Sequence, residues 1–257
     1  MMVLRIIGGF FLGLLLGGGS HYLIIWLIGG STTVSLLFAI ITGLIGGVYT
    51  AIAFAKNVYA IGFFSILGYL LDMTWSMLNT AAALLVWLPA CALKGGNFIP
   101  PDTNSKRSGT FVYPANPRGG GFAATTIGTV IAGGWCSHEE VHVWQGRIFG
   151  PLYMIVYGLS WILNALFRLI IGKSSSLLLE AYHRICYEDM AYWGGALSGP
   201  AIRWGAWVGG FFLSLLFTVL FVLIPIGIAT GIHPVWIVGS IGLVVYCLVR
   251  VLTPKST

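Results

Sequence analysis

The fold is decided by residues 33–55, TVSLLFAIITGLIGGVYTAIAFA, which contain no charged side chain and end at Lys56-Asn57. A helix needs about 20 apolar residues to cross the hydrocarbon core of a bilayer. This run therefore predicts a membrane-spanning helix.

The overall composition is also that of a membrane protein. Of the 257 residues, 58% are hydrophobic and only 8% are charged, whereas about 25% of the residues of an ordinary soluble domain are charged. This excludes a soluble, secreted or disordered protein and predicts an all-α polytopic membrane protein. Apolar runs of sufficient length indicate about five to seven membrane segments, some of them re-entrant.

Residues 1–93 are predicted to form a Gly-rich transmembrane scaffold. Residues 4–30 are long for one span and short for two, so a tilted helix or a tight helical pair would fit, and an uncleaved anchor is favoured over a signal peptide. Small residues at four-residue spacing let helix backbones approach closely in lipid. The residues with this spacing are Gly9, Gly13 and Gly17, and then Gly43 and Gly47.

The apolar run 59–93 is long enough for one kinked span or two shorter helices, and Asp72 lies in its middle. An acid at membrane depth is costly and indicates a function. If the helix is continuous, Asn79 lies on the same face as Asp72. Residues 72–75 are equally compatible with a turn between two helices. A transporter would use such an acid, but the chain shows no clear internal repeat.

Residues 94–137 are rich in Gly, Pro and polar residues and predict an extramembrane loop. Its β-branched segments, residues 110–113 and 125–131, predict short strands that form a hairpin. A loop of this length in a compact membrane protein is usually functional.

The remaining chain is predicted to form two further parts. Residues 138–196 contain a helix at 138–149, an apolar run at 151–171 and a second helix at 177–196 that Ser176 caps. Residues 197–257 contain apolar runs at 205–231 and 234–252 and are predicted to be C-terminal transmembrane helices.

The most specific pattern is His138-Glu139-Glu140-Val141-His142. On a helix, imidazoles four residues apart project from one face and can bind one Zn²⁺, while Glu139 is placed to activate water as a general base. The alternative is a solvated helix start, in which Glu139 and Glu140 complement the helix dipole.

A catalytic zinc ion needs a third protein ligand. The candidates are the acids and the histidine of the helix predicted at 177–196, namely Glu180, His183, Glu188 and Asp189. Among them, Glu180 and Glu188 lie close on one face.

These segments resemble the HExxHxxQ, GPL and ExxAY pattern of uncharacterised bacterial membrane-associated proteins. The matching residues are His138–Gln145, Gly150-Pro151-Leu152 and Glu188–Tyr192. More distantly, the chain is similar to gluzincin metallopeptidases of the HtpX and CAAX-prenyl-endopeptidase type. This resemblance implies a zincin-like helix pair and a bacterial inner-membrane protein.

The resemblance also implies roles for individual residues. His138, His142 and Glu188 would be the zinc ligands, Glu139 the catalytic base, and the strand before the motif the edge to which an extended peptide adds. Tyr192 stands where those peptidases have an aspartate that supports a ligand histidine. Glu180 or Asp189 is a possible replacement for that carboxylate.

One geometric condition follows from this ligand set. If residues 151–171 crossed the whole bilayer, His142 and Glu188 would emerge on opposite sides. A shared metal therefore requires a re-entrant or interfacial hairpin, which we expect to bend near residues 158–160 and to return Asn164 and Arg168 toward the polar side.

The sequence thus predicts a membrane-embedded zinc metallopeptidase, a hydrolase that cleaves peptide bonds at the membrane surface. The alternative is a non-catalytic accessory or structural subunit of a membrane complex that retains the metal site. The expected partners are the lipid bilayer, a peptide or membrane-protein substrate, and the subunits of any such complex. Nucleic acid is excluded because the thirteen basic residues do not cluster.

Overall fold

The structure, a computed structural model, describes residues 2–27, 30–119, 124–170, 172, 177–183 and 185–194. The chain divides into two compact units, Met1–Pro151 and Leu152–Thr257. The predicted C-terminal helices within residues 197–257 and the predicted helix cap at Ser176 lie outside the described residues.

The first unit begins with two antiparallel helices, α1 (Met2–Leu27) and α2 (Thr32–Ala55). They pack through backbone at Gly13, one of the predicted glycines, which faces Gly46: a Cβ on Gly46 would lie 2.6 Å from the carbonyl oxygen of Gly13. Thr42 adds a hydrogen bond from its Oγ1 to the carbonyl oxygen of Gly17, at 3.0 Å. The helix predicted at 33–55 is confirmed, and it is long and apolar enough to cross a membrane. α1 is one helix and not a pair.

The run 59–93 forms two helical segments. The first is α3 (Phe63–Met73). A turn at residues 74–76 leads to α4 (Met77–Ala82), a π-helical segment (Ala83–Trp87) and α5 (Leu88–Lys94), which together make one apolar stretch. The chain turns between Asp72 and Asn79, which confirms the alternative of a turn between two helices; the two residues therefore do not share the face of one continuous helix.

The extramembrane loop contains α6 (Thr103–Ser108) and three short strands, β1 (Phe111–Tyr113), β2 (Thr125–Ile127) and β3 (Val130–Ala132). Asp102 caps α6 by accepting a hydrogen bond from the Ser105 amide at 2.8 Å, and hydrogen bonds from Ser105 lower the pKa of Asp102. The sheet order is β1-β3-β2, with β3 parallel to β1 and antiparallel to β2.

The strand pairing corrects the predicted hairpin. Residues 125–131 do not form one strand, because they fold on themselves at Gly128, which has a φ of 56°. A Cβ at this glycine would overlap the carbonyl oxygen of Asn79. The tight turn therefore lets the sheet lie directly against the backbone of α4.

The first unit ends with α7 (Ser137–Phe149), which confirms the helix predicted at 138–149. The second unit contains α8 (Tyr153–Ile170), α9 (Leu177–His183) and α10 (Cys186–Gly194). α8 is continuous, so the bend predicted near residues 158–160 is absent. The single helix predicted at 177–196 is two helices, and Glu180 and Glu188 therefore do not share a helical face.

Four helical segments among the described residues are long and apolar enough to cross a membrane: α1, α2, Met77–Lys94 and α8. Their lipid-compatible side chains remain exposed, as expected for helices that are solvated by lipid. The described part of the chain therefore has the helices of a membrane protein.

The glycine contact between α1 and α2 makes a testable prediction. In Gly13→Ala, the new methyl group meets the backbone of α2, and we expect the free energy of unfolding to fall by about 1–3 kcal/mol, the usual cost of overpacking. SDS titration in mixed micelles measures it. Gly19→Ala is the matched control, because nothing lies within 4 Å of its added Cβ; equal stability of the two variants would contradict this packing.

Candidate metal centre

The helix that carries the histidines, α7, has charged side chains in its first and last turns. Glu139 and Glu140 lie in its first turn and Arg147 in its last, which suits the helix dipole at both ends. His138, Glu139, Glu140 and His142 are nevertheless all buried. The alternative of a solvated helix start therefore does not describe these residues.

The two histidines project together, as the four-residue spacing predicts. The distance between His138 Nε2 and His142 Nε2 is 3.2 Å. Two nitrogens bound tetrahedrally to one zinc ion lie about 3.3 Å apart, given Zn–N bonds of about 2.0–2.1 Å. The spacing of the two Nε2 atoms therefore fits a shared metal ion.

Gln145 orients one of these rings. Its Oε1 lies 2.8 Å from His142 Nδ1. An amide oxygen only accepts, so Nδ1 carries the proton and the lone pair of Nε2 remains available to a metal. We assigned no role to Gln145 from the sequence, although its position one turn after His142 would have indicated this contact.

Glu139 is held by the sheet. Thr126 on β2 donates from Oγ1 to Glu139 Oε2 at 2.6 Å. A carboxylate fixed in this way keeps its second oxygen for another partner, which is what a general base for water needs. Thr126 was also missed from the sequence, because it contacts the motif through a strand placed thirteen residues earlier.

The proposed third ligand belongs to the second unit. Glu188 on α10 is fully buried there and accepts a hydrogen bond from the Tyr157 hydroxyl of α8. The ring of Tyr187 packs against Tyr153 and Tyr157, with centroids 5.2 and 5.8 Å apart. Glu188 thus lies near the beginning of α8.

The other candidates of the second unit have different surroundings. Glu180 on α9 is paired with Arg168, and its side chain is 44% exposed. The ring of His183 lies 5.6 Å from that of Tyr192. Asp189 is half-buried on α10. Among these residues only Glu188 is fully buried.

Asp72, the acid in the middle of the run 59–93, is paired with a residue of α7. Arg147 donates from Nε to Asp72 Oδ1 at 2.9 Å and from Nη2 to Oδ2 at 2.7 Å, and both side chains are buried. Burial by itself lowers the pKa of Arg147, but the Asp72 carboxylate raises it above its ordinary value. Tyr59 also donates to Asp72 Oδ2, at 2.7 Å.

Asn79 holds the end of the same helix. Its Nδ2 donates to the carbonyl oxygens of Gly146 at 3.0 Å and Gly150 at 2.8 Å. Ser76 donates to Gly146 as well, at 3.0 Å. The Gly146 carbonyl also accepts the C-cap hydrogen bond from the Gly150 amide at 3.2 Å, so the donors from the α3–α4 region add to the bonding at the C-terminus of α7. Asp72 and Asn79 therefore both position α7.

Comparison of the chain with models of known protein families gives no match, and comparisons with curated protein sequences and with solved structures give none either. The resemblance to zincin-like membrane proteins therefore stays a prediction.

The buried pair gives a second prediction. Asp72→Asn leaves the Arg147 charge buried without its carboxylate, and we expect a loss of about 3–5 kcal/mol of unfolding free energy. The double variant Asp72→Leu/Arg147→Met should recover a large part, because apolar residues of similar volume replace buried ion pairs at little cost. SDS titration measures all three proteins.

Arg107→Met is the matched control for this experiment. Arg107 is exposed and lies 3.7 Å from Glu140, so its loss should change stability by only about 0–1 kcal/mol. A single variant Asp72→Asn as stable as Arg107→Met would show that the buried pair does not hold α7.

Proposed function

We propose that this protein is a membrane-embedded zinc metallopeptidase that hydrolyses peptide bonds at the membrane surface. The observation that supports it best is the buried His138–His142 pair, with Nε2 atoms 3.2 Å apart and Glu139 between them on the same helix. A bilayer-embedded chain with few charges has little other reason to bury two histidines and a carboxylate on one turn.

In this proposal His138, His142 and Glu188 hold the metal ion, since two imidazole nitrogens and a carboxylate oxygen are a ligand set that zinc accepts. The arrangement of the second unit supports Glu188 as the third ligand. The α9 helix packs along α8, and Glu188 lies beside Tyr157, one turn after the start of α8. Only residues 150–152 separate α7 from α8, so a residue at the start of α8 is near α7 along the chain.

The chain's own residues then have distinct tasks. A zinc ion held by these residues would supply a Lewis acid that lowers the pKa of water and polarises a peptide carbonyl. Glu139 would act as the general base that accepts a proton from water and as the acid that later donates it to the leaving amine. Thr126 fixes one carboxylate oxygen, and Gln145 fixes the His142 ring, so that both groups are oriented before substrate binds.

We further propose a multi-pass location in a bacterial inner membrane, with about five to seven membrane segments once the apolar runs 205–231 and 234–252 are included. The pair formed by α8 and α9–α10 is the re-entrant element. Because Lys and Arg are frequent in cytoplasmic loops, the basic loop 94–118 favours a site that opens to the cytoplasm.

Zinc content tests the ligand set. Elemental analysis of the detergent-purified protein should give about one zinc ion per chain, and His142→Ala and Glu188→Ala should each lose it. Glu180→Gln is the matched control and should keep it, because Glu180 is exposed and paired with Arg168. Zinc retained in Glu188→Ala would contradict the third ligand, and no zinc in the wild type would favour an accessory subunit.

Hydrolysis tests the base. Glu139→Gln should keep about one zinc ion per chain, while its rate of cleaving fluorescein-labelled casein falls by about 10²–10⁴-fold, the usual contribution of a general base. Equal rates for wild type and Glu139→Gln would exclude Glu139 as the base. A zinc-loaded wild type that cleaves nothing would favour the accessory subunit that retains a metal site.

A further inference from the structure

One face of α8 carries polar side chains at helical spacing, in a helix that is otherwise apolar. We call this the polar face of α8; it consists of Tyr153, Tyr157, Ser160, Asn164 and Arg168. The opposite face is exposed and apolar, with Ile155, Ile162, Leu166 and Leu169. The helix is thus polar on its buried side and apolar on its outer side, as expected where lipid surrounds it.

The polar face lies against the returning helices of the same unit. Asn164 Nδ2 donates to the carbonyl oxygen of Ala181 at 3.5 Å, and Trp161 Nε1 donates to that of Leu178 at 2.9 Å. At one end of the face Arg168 pairs with the partly exposed Glu180. At the other end Tyr157 donates to the buried Glu188. The polar face therefore connects an exposed carboxylate with a buried one.

Between these ends lie two acceptors that no described residue satisfies. Ser160 Oγ and Asn164 Oδ1 are buried, and no described donor is within hydrogen-bond distance of either. Both residues are completely inaccessible, and they are four apart, so their side chains neighbour each other on the helix. Buried polar atoms of this kind are normally paired with protein or with ordered water.

We propose that the polar face of α8 binds water molecules at Ser160 and Asn164 and forms a hydrated path from the Glu180 end to Glu188. Arg168 and Tyr157 are eleven residues apart, so the path is about 16 Å long at 1.5 Å per residue. Its purpose rests on the proposed function, because a hydrolase whose ligand Glu188 lies beside a lipid-facing helix needs a route for water.

Cysteine accessibility in proteoliposomes tests this path. The four native cysteines, Cys91, Cys136, Cys186 and Cys247, are first replaced by alanine, and single cysteines are then introduced as Ser160→Cys and Asn164→Cys. The probe is methanethiosulfonate-ethylammonium, a small cation that reacts with the thiolate form of cysteine. The thiolate forms only where water solvates the sulfur. Matched controls on the lipid-facing side of the same helix are Ile162→Cys and Leu166→Cys, and Asn104→Cys in the extramembrane loop is the positive control.

We expect the cysteines at 160 and 164 to react roughly tenfold or more faster than those at 162 and 166, since only a hydrated thiol ionises. The proposed path would be overturned if the cysteine at 104 reacts but the cysteines at 160 and 164 react no faster than the lipid-facing cysteines at 162 and 166. Ser160→Cys exchanges a single atom, so it decides the result alone if Asn164→Cys does not fold.

The outcome is independent of the zinc measurement. Fast labelling at 160 in a protein without zinc would support the hydrated path and count against the peptidase. A zinc-loaded protein whose cysteines at 160 and 164 stay unlabelled would support the metal site and reject the path.

Discussion

The buried pair of Asp72 and Arg147 joins the transmembrane scaffold to the helix that carries the histidines. Arg147 also donates from Nη1 to the carbonyl oxygen of Ser108, at 2.6 Å, where α6 ends. One guanidinium therefore connects α3, the extramembrane loop and α7. Its fixed fork of donors suits this task, and Lys could not reproduce it. An unpaired buried charge would be costly, so the pair couples the stability of the three segments.

Polar contacts of this kind explain how a chain with 8% charged residues holds a polar helix. Ser76 and Asn79 satisfy the C-terminal carbonyls of α7, and Thr126 holds Glu139 near its start. The helix is therefore fixed at both ends by hydrogen bonds instead of by an apolar stripe. Such an arrangement orients buried imidazoles more narrowly than packing alone, because hydrogen bonds depend on direction.

Local patterns were sufficient to predict the parts of the fold that depend on local sequence. The span at 33–55 follows from its length, and the close approach of His138 and His142 follows from the four-residue period. The partner of Asp72 lies 75 residues away, and no periodicity indicates it. The parallel pairing of β1 with β3 was missed for the same reason, since a pairing between distant strands leaves no local signal. The predicted bend failed because Gly158 alone does not break a helix.

The continuous α8 changes what the metal proposal requires. α8 runs without a break to Ile170, and the segment that carries Glu188 is divided into α9 and α10 near Ile185. A break between helices leaves backbone groups that need other partners. Here Ile185 donates its amide to the carbonyl of Tyr182 at 3.2 Å, and Glu188 donates to that of Ile185 at 3.1 Å. The break is thus closed by local bonds, and Glu188 lies in the first turn of α10, where it accepts a hydrogen bond from Tyr157. A straight helix at 177–196 would have placed Glu180 and Glu188 on one face. The break separates them instead, with Glu180 partly exposed beside Arg168 and Glu188 fully buried against Tyr157.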